Sequence, residues 1–248
     1  LLALNGSESL LQETYRRVLP RVSADHVLTV THADHRFEVA GQSHAVNNLL
    51  AAGVMAETMG RNTLPAIAWA VAKIAQETPD ALIGVFSSDH AVANDAVFLA
   101  AWDAAEKSAE AGFITLFGMQ PTEPATGFGY IHSGEVLPGI ANGAVKRVAR
   151  FVEKPNLETA KGYLQQGGYY WNGGMFVFRA DVFMDLLKLA QPAIHAAALT
   201  LAEATTVSRE QYAALPDLSI DYGLLEKYSE RAVVVPASIG WSDLGSWE

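Results

Sequence analysis

The run Ala81-Leu82-Ile83-Gly84-Val85-Phe86 constrains this chain most. It carries no polar side chain and does not alternate, so it predicts a strand covered on both faces. It empties into Ser87-Ser88-Asp89-His90. Asn94 or Asp95 then stands where a helix cap belongs, ahead of a helix through about Lys107, and Phe113-Ile114-Thr115-Leu116-Phe117 is a second buried strand. This rhythm predicts an α/β fold: a doubly wound sheet with right-handed crossovers and helices on both faces. Ligands of such sheets sit beyond the carboxyl ends of the strands, and Asp89 lies at such an end.

Other signals agree. Ser9-x-x-Gln12 reads as a capping box before a helix with Leu10, Leu11, Tyr15, Val18 and Leu19 on one face. Val27–Val30 reads as a short strand, 35–51 as containing a helix, and Gly53–Glu57 as a strand. Asn62 or Thr63 caps a helix with Pro65 in its first turn. Beyond Pro124 the pattern shifts towards a mixed or antiparallel layer, with strands at 127–131, 145–152 and 170–178, helix at 156–166, mostly helix at 180–226, and a last strand at Arg231–Pro236. With neither an internal repeat nor a convincing linker, the chain reads as one domain.

Composition narrows the function classes. Half of the 248 residues are hydrophobic and 18% are charged, as in ordered globular proteins. A formal charge of −10 opposes general nucleic-acid binding, which needs clustered Lys and Arg, yet leaves room for one small phosphate ligand. With no cysteine there is neither a disulfide framework nor a thiolate metal site. No apolar stretch reaches the length of a membrane span and no signal-peptide pattern opens the chain, so the expectation is a cytoplasmic protein without a membrane partner.

The stretch from Phe151 to Phe178 carries the chemistry. Glu153-Lys154 follow an apolar run, and Asn172-Gly173-Gly174 break another. A carboxylate, an ammonium, an amide and two glycines suit a polyol and phosphate site. Glu153 and Lys154 face opposite sides if the strand continues, so a shared ligand requires it to end there, as Pro155 suggests; a solvated charge pair is the plainer reading. Asn172-Gly173-Gly174 is equally readable as a bulge alone. Asp89 and Asp243 end separate strand-like segments and are a candidate Mg²⁺ pair, although such an Asp more often caps a helix or forms a turn. Arg61-Asn62-Thr63 offers a guanidinium and helix-start N–H groups to a base or phosphate, or simply a cap. His32-x-x-His35 lacks a third ligand, and His90 reads first as structural. Neither G-x-x-x-x-G-K-[ST] nor G-x-S-x-G occurs.

In order, Gly60-Arg61-Asn62-Thr63-x-Pro65-Ala66, Ser88-Asp89-His90, Gly129-Tyr130-Ile131, Phe151-Val152-Glu153-Lys154-Pro155, Trp171-Asn172-x-Gly174-Met175-Phe176, Ser219-Ile220-Asp221-Tyr222 and Gly240-Trp241-Ser242-Asp243-x-Gly245-Ser246-Trp247 resemble the bacterial mannose-1-phosphate guanylyltransferases. The likeness runs from Leu1 to Trp247. It implies the nucleotide-diphospho-sugar transferase fold, a Rossmann-like mixed central sheet with helices on both faces. It also implies transfer between GTP and mannose 1-phosphate, giving GDP-mannose and pyrophosphate with Mg²⁺ as cofactor. By position, Asp89 and Asp243 would hold the metal, and Lys154 the sugar phosphate. Glu153 would meet the sugar hydroxyls, Gly129, Tyr130 and Asn172 would line the sugar pocket, and Arg61 and Asn62 would lie near the guanosine. Asp221 matches a motif without a role.

Ser88 stands where the family usually has Ala and Gly173 where Ser is usual; both are small, so the pocket is expected to survive. The family begins with a strand and a Gly-rich loop bearing an Arg and a Lys, and continues into a C-terminal region. The expectation is that residues 1–248 form a single catalytic domain without those parts, inactive on its own if they are essential. Rival readings are another sugar-1-phosphate nucleotidyltransferase using dTTP or UTP, and a non-catalytic sugar-nucleotide-binding regulatory subunit. Whether the chain forms a homo-oligomer is left open.

Overall fold

The computed structural model of the protein describes residue 3 and residues 6–243. Local signals place the N-terminal elements. Ser9 and Gln12 bond reciprocally, side chain to backbone N–H, and start α1 (Leu10–Val18). β1 (Thr29–His32) begins two residues beyond the expected Val27, because Val27 N–H bonds the Ala24 carbonyl and closes a 3-10 turn first. The helix expected within 35–51 is two, α2 (Arg36–Val46) and α3 (Asn48–Ala52). Asn47 divides them: its backbone is extended, and its side chain accepts from Leu49 N–H. β2 (Val54–Glu57) pairs in parallel with β1, and Asn62 caps α4 (Thr63–Ala75).

Next come β3 (Leu82–Val85), β4 (His90–Val92), α5 (Asp95–Glu110), β5 (Ile114–Met119), β6 (Tyr130–Val136), β7 (Lys146–Val152), α6 (Leu157–Gln166) and β8 (Tyr169–Arg179). α7 (Ala180–Ala190), α8 (Pro192–Glu203), α9 (Arg209–Ala213), a π-helical turn over Asp221–Leu225, β9 (Ala232–Pro236) and β10 (Trp241–Asp243) complete the described chain. The main sheet runs β3-β8-β5-β9-β7-β6. Among the described residues, only its β5–β9 pair is parallel. The sheet is therefore mixed, as the resemblance implied, and β8 lies between β3 and β5 and opposes both.

The expected double cover of β3 fails. Among the described residues it is hydrogen-bonded in the main sheet to β8 alone, and Leu82 is 41% exposed. An apolar run reports what its side chains prefer, and says nothing about which backbone edge finds a partner.

The core follows the two-residue period of the strands. On β9, Ala232 and Val234 join one cluster with Leu64, Val71, Phe183 and Leu187 of α4 and α7, whereas Val233 and Val235 join another with Phe98 and Trp102 of α5. On β8, Phe176 and Phe178 face the first cluster, Met175 and Val177 the second. Helices thus cover both faces. Among the described residues, no helix is long and apolar enough to cross a membrane.

One pairing positions the site. Tyr130, at the start of β6, is opposite Val152 of β7 and also opposite Trp171 of β8. Strands β8, β5, β9, β7 and β6 therefore close on themselves. One residue beyond this triple junction stand Gly129, Glu153 and Asn172.

Candidate active site

β7 ends at Val152, and the chain turns sharply. Lys154 has φ +44 although it is not glycine and precedes Pro155, a conformation that costs free energy and persists only where the surroundings impose it. The turn answers the question left by strand alternation: Lys154 Nζ comes back to 3.6 Å from Glu153 Oε1. The lysine side chain stays largely exposed, while the Glu153 side chain is only 9% exposed. Gly129 is packed against that carboxylate. A Cβ at residue 129 would lie 2.5 Å from Glu153 Oε2, so the close approach requires glycine.

Asn172 sits in a β-bulge. The β5–β8 register passes from Leu116 opposite Phe176 to Gly118 opposite Asn172, so β8 carries the extra residues, and Gly174 has φ +64. Asn172-Gly173-Gly174 is therefore a bulge, and the bulge sets the direction of the Asn172 amide. Asn172 Nδ2 donates to Asp221 Oδ1 at 2.8 Å, Gly174 N–H donates to Asn172 Oδ1 at 3.3 Å, and Asn172 N–H donates to the Gly129 carbonyl at 2.8 Å. Gly173 points the other way, into the core, where a Cβ would press on Met119 Cε at 2.6 Å.

Two carboxyl groups share this neighbourhood. Loss of water and the charge of Asp221 push the Glu153 carboxyl up to about 7, against the pull of Lys154. Burial also raises Asp221, opposed by hydrogen bonds and by Lys154. Near neutral pH Glu153 therefore exchanges between donor and acceptor, which suits a sugar hydroxyl.

The aspartates form the other side. β4 and β10 pair antiparallel with Asp243 opposite His90, the residue that follows Asp89 in the chain. Trp241 Nε1 donates to His90 Nδ1 at 3.1 Å, and His90 Nε2 lies 3.8 Å from Asp89 Oδ1. His90 is structural first, as expected. Asp89 itself is 78% exposed. Among the described residues no group of three or more His, Cys, Asp or Glu could hold a metal. A pair of hard carboxylate donors completed by substrate phosphate oxygens and water still fits Mg²⁺. The bulge joins the two sides, because a Cβ on Gly174 would stand 3.4 Å from His90 Cε1. Phe128, beside Gly129, lies with its ring 5.1 Å from both Trp171 and Trp241.

Tyr130 is placed elsewhere. It is fully buried, its ring against Tyr163 and its hydroxyl donating to the Ala125 carbonyl, so it supports the junction and presents no side chain to a pocket. Arg61 donates through Nη2 to the Ala213 carbonyl at 2.6 Å, at the end of α9, while its buried Nε has no partner among the described residues. Asn62 is exposed at φ +62, and its side chain accepts from Thr63 N–H. Thr63 Oγ1 accepts from Ile220 N–H, which connects this segment to Asp221. The sequence left Asp221 without a role; its only signal was its place in a motif. Residues 244–248, including the end of the Gly240–Trp247 motif, lie outside the described residues.

Residues 1–248 match the family described as Nucleotidyl transferase. The chain is 42% identical over 254 residues to a mannose-1-phosphate guanylyltransferase of Salmonella montevideo, covering 99% of this chain and 53% of that protein. A Thermus thermophilus structure described as mannose-1-phosphate geranyltransferase superposes with TM-score 0.84 at 33% identity, covering 96% of this chain and 67% of that one. A Helicobacter pylori structure described as mannose-6-phosphate isomerase gives TM-score 0.83 at 30% identity, covering 98% and 93%. The chain spans about half the length of the curated relatives it matches. With the family match running from residue 1 to residue 248, the chain belongs to the nucleotidyl transferase family.

Proposed function

We propose that this chain catalyses guanylyl transfer: a phosphate oxygen of mannose 1-phosphate attacks the α-phosphorus of GTP and GDP-mannose forms. The new P–O bond replaces the bond to the bridging oxygen between α- and β-phosphorus, whose electron pair leaves with pyrophosphate. No side-chain nucleophile is required, so the protein's part is alignment and charge. The observation that carries the reading is the turn at Lys154. A backbone held at φ +44 sets an exposed ammonium 3.6 Å from a nearly buried carboxylate, next to a glycine at which a Cβ would press on that carboxylate at 2.5 Å.

In this reading Lys154 binds the sugar phosphate and offsets its repulsion from the triphosphate. Glu153 and Asn172 meet sugar hydroxyls, and the Gly129 backbone forms the floor. Asp89 and Asp243 would hold Mg²⁺, which when bound supplies charge neutralisation to the phosphates. Arg61 and Asn62 lie on the guanosine side. The choice of mannose and guanine is supported by the Salmonella montevideo relative. A cytoplasmic enzyme with small-molecule substrates, and neither nucleic acid nor membrane as partner, is consistent with the charge of −10.

Pyrophosphate release by the natural gene product, measured with Mg²⁺ for GTP, dTTP and UTP against mannose and glucose 1-phosphates, tests this. Turnover should be greatest with GTP and mannose 1-phosphate. Equal use of all three nucleotides would overturn the base assignment, and sugar-nucleotide binding without turnover would replace the enzyme with a sensor.

A further inference from the structure

We propose that Asp221 is a positioning residue that fixes the Asn172 amide and balances the Lys154 ammonium, setting the sugar-phosphate side of the site from beneath. The proposal rests on the functional reading above and adds a residue to it. Asn172 is held at both ends, Nδ2 on Asp221 and Oδ1 under Gly174 N–H, so the amide cannot flip without losing both bonds. The second N–H of the same amide makes no bond among the described residues and can donate to a ligand hydroxyl.

The backbone around Asp221 is built to hold it still. Leu218 N–H donates to the Arg61 carbonyl and Leu64 N–H donates to the Leu218 carbonyl, at 3.3 and 3.1 Å. Ile220 N–H donates to Thr63 Oγ1 at 3.0 Å. Asp221 then opens a π-helical turn, a rare conformation enriched at functional sites. Gly223, inside that turn, packs so closely that a Cβ would lie 2.5 Å from Leu64 Cδ2. One short segment thus bonds the Arg61–Thr63 side and the Asn172 side.

The groups that face Asp221 explain why a carboxylate serves here. Lys154 approaches from the end of β7, Asn172 from β8 and Ser219 from its own loop. Glu153 faces Asp221 and Lys154, and more remotely Glu226. The ammonium lies 3.6 Å from the Glu153 carboxylate and attracts the Asp221 carboxyl by charge, without an ion pair to it among the described residues. A neutral residue at 221 would leave Lys154 pulled to Glu153 alone.

Calorimetric titration of mannose 1-phosphate, and separately of GTP, into the wild type, Asp221→Ala and Asp221→Asn tests this. Asp221→Ala should weaken mannose 1-phosphate about tenfold and GTP less than about twofold, as expected for one hydrogen bond to a charged group. Asp221→Asn, which keeps an acceptor for Asn172 Nδ2, should recover part of the loss. The Glu153 carboxyl, followed by NMR, should titrate at lower pH in Asp221→Asn, a change that a packing role would not produce. Unchanged sugar-phosphate affinity in Asp221→Ala, or equal weakening of both ligands alongside a lowered melting temperature, would overturn the proposal. If Asp221→Ala does not fold, an unchanged Glu153 midpoint in Asp221→Asn overturns it. A wild type that binds no mannose 1-phosphate would refute the functional reading, and the Glu153 midpoint would still decide the place of Asp221.

Discussion

Glu153 and Lys154 show how two neighbouring residues come to hold opposite environments. The buried carboxyl is raised from 4.5 to about 7, so between those values the folded chain keeps a proton that the unfolded chain has lost. The stability this group contributes is full below its unfolded value and falls as the pH climbs through the folded one. Glu153→Gln should remove that slope: melting curves collected from acid to mildly alkaline pH should show the variant gaining on the wild type as the pH rises. Lys154 tests backbone strain in the same turn. Lys154→Gly and Lys154→Ala both lose the ammonium, yet glycine tolerates φ +44 and alanine does not. Chemical denaturation should find the glycine variant more stable than the alanine variant by about 1 kcal/mol, with sugar-phosphate binding weakened alike in both.

At the scale of elements, β8 matters most. It pairs with β3, β5 and β6, and its bulge turns Asn172 towards Asp221 and brings Gly174 beside His90. A Cβ at residue 174 finds ordinary contact distances of 3.4 Å to His90 and 3.5 Å to Ser87, so the cost of substitution there is conformational. Gly174→Ala should destabilise the fold by about 1–2 kcal/mol and weaken sugar-phosphate binding, because the Gly174 N–H that holds Asn172 Oδ1 shifts with its backbone. Equilibrium unfolding and calorimetry on the same preparation check both. Much of this was legible in the sequence: the two glycines marked a bulge, and Pro155 marked the end of β7. The partner of the amide was not, because Asp221 lies 49 residues away and meets Asn172 only through the fold.

Across the whole molecule, the site is assembled from the sheet's closure at Tyr130, Val152 and Trp171 and from the β4–β10 pair that sets Asp243 against His90. Asp243→Asn changes charge at nearly constant volume, and should reduce Mg²⁺-dependent turnover far more than it lowers the melting temperature. Parallel loss of both would mark a structural Asp instead. By itself the sequence determined the elements, since caps, glycines and apolar periods act within a few residues: the Ser9 box, the Asn62 cap and the alternation of β9 were all readable locally. A resemblance in the order of its motifs also supplied the residues proposed for the site. Only the tertiary structure decided that β8 would separate β3 from β5, that Tyr130 would be core, and that Asp221 would face Glu153 and Lys154. Strand order and the meeting of distant carboxyls depend on which backbone edges and buried charges find partners across the chain, and no local pattern encodes that choice.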